Sequence, residues 1–395
     1  MSIKAGVIGA AGFAGAELVR LLLRHPGFEL VAATSNELAG KPVSDVYPLF
    51  TGRTDLAFSR HDDPVLDQCE VVFLAVPHTA ALNHAPGFMK RGISVVDLSA
   101  DFRFEDPSIY EQWYKVKHTQ TKLLSERTFG QPELFPQGLA AAREYRAAGN
   151  PVLVGCPGCY PTATSLAATP ALRAGLVGNG LIVADAISGV SGAGKKATER
   201  THFCFANENV EAYGVGSHRH TPEIEQILDI PGRLVFTPHL APYNRGLLST
   251  VTLPLADPSV SQEAVHSLYQ GFYRDAAFVK VLDGAAQPKT SSVAGTNFAH
   301  VNVVVDQRVG AIVATCAIDN VGKGAAGQAL QCANLVFGFN ETDGLESFGI
   351  PAYRGNYESI CRRKRVRTPF VERWRDRPDW FIAYRGRWRF QRIGF

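Results

Sequence analysis

A glycine-spaced turn, Gly9-Ala10-Ala11-Gly12-Phe13-Ala14-Gly15, constrains the fold of this chain more than any other stretch. It follows a short apolar run at 4–8. It opens a segment over 14–24 in which Leu18, Leu21 and Leu22 recur at helical spacing, and Pro26 and Gly27 end that segment. Between a strand and a helix, such a turn lets the backbone approach a pyrophosphate, and the helix N-terminus adds free N–H groups and partial positive charge. A tight turn without a ligand is the plain alternative. The strand–turn–helix context favours a dinucleotide. Apolar runs at 28–34, 70–75 and 93–98 read as further strands of a parallel sheet buried on both faces, a Rossmann-type α/β domain.

Past about residue 151 the pattern changes. Strand-like runs at 181–188, 247–253, 300–306 and 311–319 are longer and partly alternating, and one clear helix covers 262–272. This predicts an α+β domain with a mostly antiparallel sheet. The expected divisions are a dinucleotide-binding domain at 1–155 and a catalytic, substrate and oligomerisation domain at 156–320. A C-terminal segment at 321–351 carries a helix over 325–337 back to the first domain, and a basic tail fills 352–395. Two domains suit 395 residues.

Net charge is +3, but from 353 to 395 there are 13 Arg or Lys against 4 Asp or Glu, a net +9, which leaves the body at −6. Three of the four tryptophans, Trp374, Trp380 and Trp388, also lie in this tail. The tail reads as an extension without a part in the chemistry, and no nucleic-acid partner is expected. No apolar stretch approaches the ~18 residues of a membrane span, and the first residues lack the sections of a signal peptide, so the expected location is cytoplasmic. Seven irregularly spaced cysteines do not form a secreted disulfide framework.

The segment Gly155-Cys156-Pro157-Gly158-Cys159-Tyr160-Pro161-Thr162 carries the chemistry. A strand over 152–155 ends in a Pro-Gly turn, and a helix over 160–173 starts at once, with Pro161 in its first turn. Cys159 is thereby expected at a helix N-terminus, which favours a thiolate. A thiolate beside a nicotinamide can attack an activated acyl group and give a thioester that hydride reduces. Cys156 and Cys159 also form C-x-x-C, which fits redox exchange or half a zinc site, but a zinc ribbon needs a second pair. An inert buried cysteine is the remaining alternative, against which the Pro-Gly turn and helix start argue.

Taken with six other motifs, this segment resembles the N-acetyl-gamma-glutamyl-phosphate reductases, the arginine-biosynthesis branch of the aspartate-semialdehyde dehydrogenase superfamily. The motifs are GAAGFAGAELVRLL, DLSADFR at 97–103, PGCYPT at 157–162, SGVSGAGKKA at 188–197, SHRHTPEIEQ at 217–226, TPHLAPYNRGLL at 237–248 and DNVGKGAAGQA at 319–329. The likeness runs from about residue 4 to 351.

The resemblance implies a Cys159 nucleophile, His218 as acid–base partner and NADP(H) as cofactor, in a homodimer or homotetramer. Imidazole suits the acid–base role because it titrates near neutral pH; His239 is the runner-up. Gly9, Gly12, Phe13, Ala14, Gly15 and Ser35 are expected to hold the adenosine and phosphate end. Gly189, Ser191, Gly192, Ala193 and Asn320 are expected at the nicotinamide end. Arg103 is the candidate for the substrate phosphate and Arg245 for a substrate carboxylate, with His220 beside them; a structural ion pair is the alternative for each arginine. Lys195 and Lys196 read as a solvated pair, and Ser35 and Lys41 favour a 2′-phosphate although Glu37 opposes it. No metal is expected, although His218, His220, His202 and Cys204 have ligand-like spacing. Cys156 could trap Cys159 in a disulfide. The implied activity is reduction of N-acetyl-L-glutamyl 5-phosphate through a thioester. The alternatives are a sister reductase acting on aspartyl or carrier-linked aminoadipyl phosphate, a non-catalytic NADP-binding regulator, or a thiol hydrolase.

Overall fold

The computed structural model describes residues 2–346; the tail lies outside the described residues. Six strands form a parallel sheet: β1 (Ile3–Ile8), β2 (Phe28–Thr34), β3 (Val71–Leu74), β4 (Ser94–Asp97), β5 (Thr128–Phe129) and β6 (Leu153–Gly155), in the order β2-β1-β3-β4-β6-β5. The central strands β3, β4 and β6 are wholly buried, as their continuous apolar runs require. Successive crossovers leave β1 in opposite directions, toward β2 and then β3, which opens a crevice at the carboxyl ends of β1 and β3. The glycine turn sits in that crevice.

The second sheet has seven strands: β7 (Ile182–Gly189), β8 (Glu211–Ala212), β9 (Leu234–Ala241), β10 (Leu247–Pro254), β11 (Val279–Val281), β12 (Ala299–Asp306) and β13 (Ala311–Ile318), ordered β11-β12-β13-β10-β7-β9-β8. Four of its pairings are antiparallel, but β7–β9 and β11–β12 are parallel, so the sheet is mixed. The parallel β7–β9 pair has a local cause. The chain between them crosses through the Thr221–Leu228 helix rather than a hairpin.

The Cys159–Arg173 helix packs on the inner face of this sheet, and every residue from Tyr160 to Ala171 is buried. Tyr269 and Tyr273, the first of them on the Gln262–Phe272 helix, donate their hydroxyls to Ala167 O (2.7 Å) and Leu166 O (2.6 Å). Leu166 O has no helix donor because Pro170 stands four residues on, so the Tyr273 hydroxyl supplies it, and both buried hydroxyls find acceptors. The Gly327–Phe337 helix shares its core with β1, β3 and the Pro136–Ala147 helix, through Ala329, Leu330, Cys332 and Val336. A π-type turn at Gly322–Ala326 joins β13 to it. No described helix is long and apolar enough to cross a membrane.

Candidate active site

One cleft of about 1430 Å³ runs from the glycine turn to the thiol. Of the residues expected at the dinucleotide, Gly9, Gly12, Phe13, Ala14, Ser35, Ser191, Gly192, Ala193 and Asn320 line it. Gly9 takes φ +84°, and a Cβ there would lie 2.4 Å from Ala75 O, beyond the end of β3. The turn is therefore pressed against β3, and only glycine fits. Gly12 starts the Phe13–Leu22 helix without a capping side chain. The nearest atom to a Cβ on Gly12 would be Gly9 O at 3.6 Å, so its outer edge faces the cleft. Open N–H groups at an uncapped helix start fit a pyrophosphate.

Gly15 and Gly189 serve packing instead. A Cβ on Gly15 would meet Gly9 O at 2.3 Å, and one on Gly189 would meet Tyr243 O and Asn244 O at 2.6 Å. Asn320 Nδ2 donates to Ser191 Oγ (2.9 Å), and Asn320 Oδ1 accepts from Gly246 N (2.8 Å), tying the 3-10 turn Val190–Ala193 to the end of β13. Lys195 differs from the solvated charge expected of it. Its Nζ donates to Ala11 O (3.1 Å) and lies 4.6 Å over the Tyr47 ring, so it braces the glycine turn. Lys41 does not line the cleft, whereas Ser35, Glu37 and His61 do.

Cys159 opens the Cys159–Arg173 helix behind Gly158, whose extended backbone forms the N-cap. Glu223, on the Thr221–Leu228 helix, fixes that turn. Its Oε1 accepts Gly158 N–H (2.8 Å), and its Oε2 accepts Arg103 Nη1 (3.0 Å). Arg103 also donates from Nε to Cys156 O (2.8 Å) and from Nη2 to Leu98 O (2.8 Å). Both members of this ion pair are buried, at 4 % and 0 % side-chain exposure. Arg103 thus borders the cleft as a clamp on the nucleophile turn rather than as a loose fork for phosphate. Glu223 went unmarked at the sequence level, where PEIEQ reads as an ordinary amphipathic helix start.

Arg245 lies outside the cleft lining. Its Nε donates to Asp319 Oδ2 (2.8 Å), and its two Nη atoms bind Glu17 Oε2 and Oε1 (3.1 and 3.0 Å). The structure therefore makes Arg245 a tie between the Phe13–Leu22 helix and the end of β13, with no fork left for a substrate carboxylate.

The thiol corrects the expectation of a resting thiolate. Burial pushes Cys159 up to about 11; the Tyr160 N–H and the Arg103 charge pull it down without overcoming burial. Burial thus favours the neutral thiol over the thiolate that a helix start alone would favour. The imidazoles beside it are neutral as well: burial holds His218 down at about 4, with the Arg219 charge adding to it, and burial holds His220 well below its usual value. His218 Nδ1 accepts from His220 N (3.1 Å), which places the His218 proton on Nε2. Tyr160, Tyr213, His220 and Phe236 pack edge-on around the His218 ring at 4.9–5.7 Å. His220 Nε2 would lie 2.4 Å from a Cβ on Gly158, which puts this ring directly on the nucleophile turn. His239 does not line the cleft.

Cys156 points away from Cys159. It is 1 % exposed, in the core under the parallel sheet, and packs with Cys332 around Gly130. The proposed Cys156–Cys159 trap therefore does not fit this arrangement. His202 and Cys204 form an exposed local turn, in which His202 Nδ1 accepts from Cys204 N (3.3 Å).

Two family descriptions match the chain: the NAD binding domain of semialdehyde dehydrogenase over 4–142, and its dimerisation domain over 159–320. The N-acetyl-gamma-glutamyl-phosphate reductase of Desulforudis audaxviator is 46% identical over 349 residues, covering 87% of this chain and 98% of that protein. Its counterpart in Moorella thermoacetica is 46% identical over 353 residues, covering 88% and 99%. Among solved structures, the aspartate semialdehyde dehydrogenase of Candida albicans with NADP superposes with a TM-score of 0.65 at 18% identity. Aspartate semialdehyde dehydrogenase II of Vibrio cholerae does so at 0.64 and 19%. Each of these two covers 85% of this chain and 98% of its own. These structures share the fold, while the sequence relatives share nearly the whole described chain and set its place: it belongs to the N-acetyl-gamma-glutamyl-phosphate reductase family, on the semialdehyde dehydrogenase fold.

Proposed function

We propose that this chain reduces N-acetyl-L-glutamyl 5-phosphate to N-acetyl-L-glutamate 5-semialdehyde and phosphate, with NADPH as reductant, in arginine biosynthesis. The observation that carries the reading is the shared cleft, with Cys159 at a helix start, two neutral imidazoles beside it and the glycine turn at the far end.

The Cys159 sulfur attacks the acyl carbon, the bond from that carbon to the phosphate oxygen breaks, and phosphate departs, leaving a thioester. The thiol proton passes to His220, whose Nε2 lies at the nucleophile turn, as the new bond forms, and from there to the departing phosphate oxygen. The helix N-terminus faces the oxyanion of the addition step. When bound, NADPH supplies the hydride that reduces the thioester carbon. His218 Nε2–H donates a hydrogen bond to the thiohemiacetal oxyanion; as that oxyanion collapses to the aldehyde the C–S bond breaks, and the departing thiolate takes up a proton from solvent. Arg103 and Glu223 hold the turn on which Cys159 rides. Assembly as a homodimer or homotetramer through the second domain, in the cytoplasm, completes the reading.

The test runs the reaction backwards, following phosphate-dependent NADP reduction with N-acetylglutamate semialdehyde against aspartate semialdehyde. The reading requires clear preference for the first and no turnover by Cys159→Ser, with NADPH binding retained. Turnover by that variant, or a preference for aspartate semialdehyde, overturns it.

A further inference from the structure

The two arginines that sequence reasoning assigned to substrate are occupied by carboxylates of the protein itself. A substrate that carries a phosphate and a carboxylate still needs a cation. Arg200, another arginine on the cleft wall, is paired with Glu211; Lys195 is bonded to the glycine turn, and Lys196, also on the wall, adjoins it in sequence. Among the described residues that line the cleft, the arginine without a hydrogen bond or ion pair to protein is Arg219. It is exposed, stands between His218 and His220, and holds its guanidinium 5.0 Å over the Tyr114 ring, which also lines the cleft.

We infer that Arg219 binds the carboxylate at the unreacting end of the substrate. The inference rests on the proposed reductase reading and names the residue that recognises the substrate's acidic end. Position decides between the two anions. The phosphate is bonded to the carbon that Cys159 attacks, so it must sit against the sulfur's own turn. That turn is packed by Arg103, already committed to Cys156 O and Glu223, and by His220, so the inner position belongs to the reacting end of the substrate. Arg219 stands farther out, among His78, Tyr114 and the two histidines, and its charge is felt by all four of these groups. A carboxylate several bonds from the reacting carbon reaches that outer position while the acyl group lies at the thiol. The cation–π contact with Tyr114 uses none of the guanidinium N–H donors, which leaves the fork open for a bidentate carboxylate.

The test uses the full-length enzyme in the phosphate-dependent direction, where phosphate and aldehyde are separate substrates with separate KM values. Arg219→Ala should raise the KM for N-acetylglutamate semialdehyde about tenfold to a hundredfold, the size of one lost charge-assisted contact. The KM for inorganic phosphate should move less than threefold. With 4-acetamidobutanal, the same aldehyde without its carboxylate, wild type and Arg219→Ala should have equal kcat/KM, which also shows that the variant is folded. Arg219→Lys should recover part of the loss, since it restores charge without the fork. A rise confined to the phosphate KM, an unchanged aldehyde KM, or an equal loss on the decarboxylated aldehyde each overturns the assignment. Failure of the wild-type enzyme to turn over N-acetylglutamate semialdehyde refutes the reductase reading instead, which keeps the two failures distinct.

Discussion

Replacing Glu223 with Gln separates a positioning role from a merely structural one. The side chain keeps its shape but loses its charge, and a single amide cannot accept from Gly158 N–H and Arg103 Nη1 as two carboxylate oxygens do. One buried donor is left unmatched, and the Arg103 charge loses its counter-charge inside the protein. Breaking a buried pair of this kind costs about 3–5 kcal/mol of stability. The charge change also reaches the nucleophile. Glu223 raises the Cys159 thiol and Arg103 lowers it, so removing the carboxylate takes away one raising influence and leaves the Arg103 charge unopposed. A nearby charge of this kind is worth roughly one pH unit, or about 1.4 kcal/mol. The assay is the rate of iodoacetamide alkylation of Cys159 against pH in the substrate-free enzyme, in a background that lacks both the exposed Cys204 and Cys361 of the tail. The wild-type midpoint lies near 11, and that of Glu223→Gln falls about one unit lower. Turnover falls because the Gly158 turn loosens, while the alkylation midpoint moves the other way from a simple loss of function. A midpoint that stays or rises, in a variant that still folds, refutes the electrostatic link between Glu223 and the thiol.

Three further outcomes can be measured. Gly324→Ala would bring a Cβ to within 2.6 Å of Cys159 Cβ, so kcat should fall about a hundredfold through displacement of the nucleophile, with a smaller change in NADPH Kd by fluorescence titration. Burial acts to raise the Glu17 carboxyl, but Arg20 and Arg245 outweigh it and hold the group at about 2, below its ordinary 4.5. Its folded value being depressed, this carboxylate contributes about 3 kcal/mol at pH above 4.5, lost as pH falls toward 2. Arg245→Ala should therefore melt at lower temperature at pH 7 and lose stability at a higher pH in an acid titration, with the semialdehyde KM unchanged; a raised KM without destabilisation would return Arg245 to the substrate. Deleting 353–395 should leave kcat and KM as they are, and a large loss in steady-state assays would refute that view of the tail.

What could be read from the chain and what could not divides along one physical line. Strands such as β2 (Phe28–Thr34) and the Gln262–Phe272 helix are legible because a period of 2 or 3.6, or an unbroken apolar run, is a local property of sequence. Strand β9 (Leu234–Ala241) was missed. Pro238 and His239 break its pattern, and its stability comes from an eight-residue parallel pairing with β7, which is distant in sequence. The glycine turn and Cys159 were legible for the same reason as the helices, since each motif contains its own geometry.

Charges behave differently, and the arginines show why. An arginine in a motif announces an anion without saying whose. Arg103 finds Glu223, 120 residues away, and Arg245 finds Glu17, 228 residues away. Each pairing depends on the tertiary fold, so no spacing rule could have revealed it. The thiol follows the same logic. A helix start lowers its pKa, and that much is local, but burial is a property of the assembled domain and here outweighs the helix. The consequence is chemical. On the proposed reading, a thiol held neutral by burial beside neutral imidazoles should alkylate slowly in the empty enzyme and react once its proton can move as the acyl carbon arrives. Reactivity would then be tied to the presence of substrate, a coupling that a permanently ionised cysteine at an open helix end would lack.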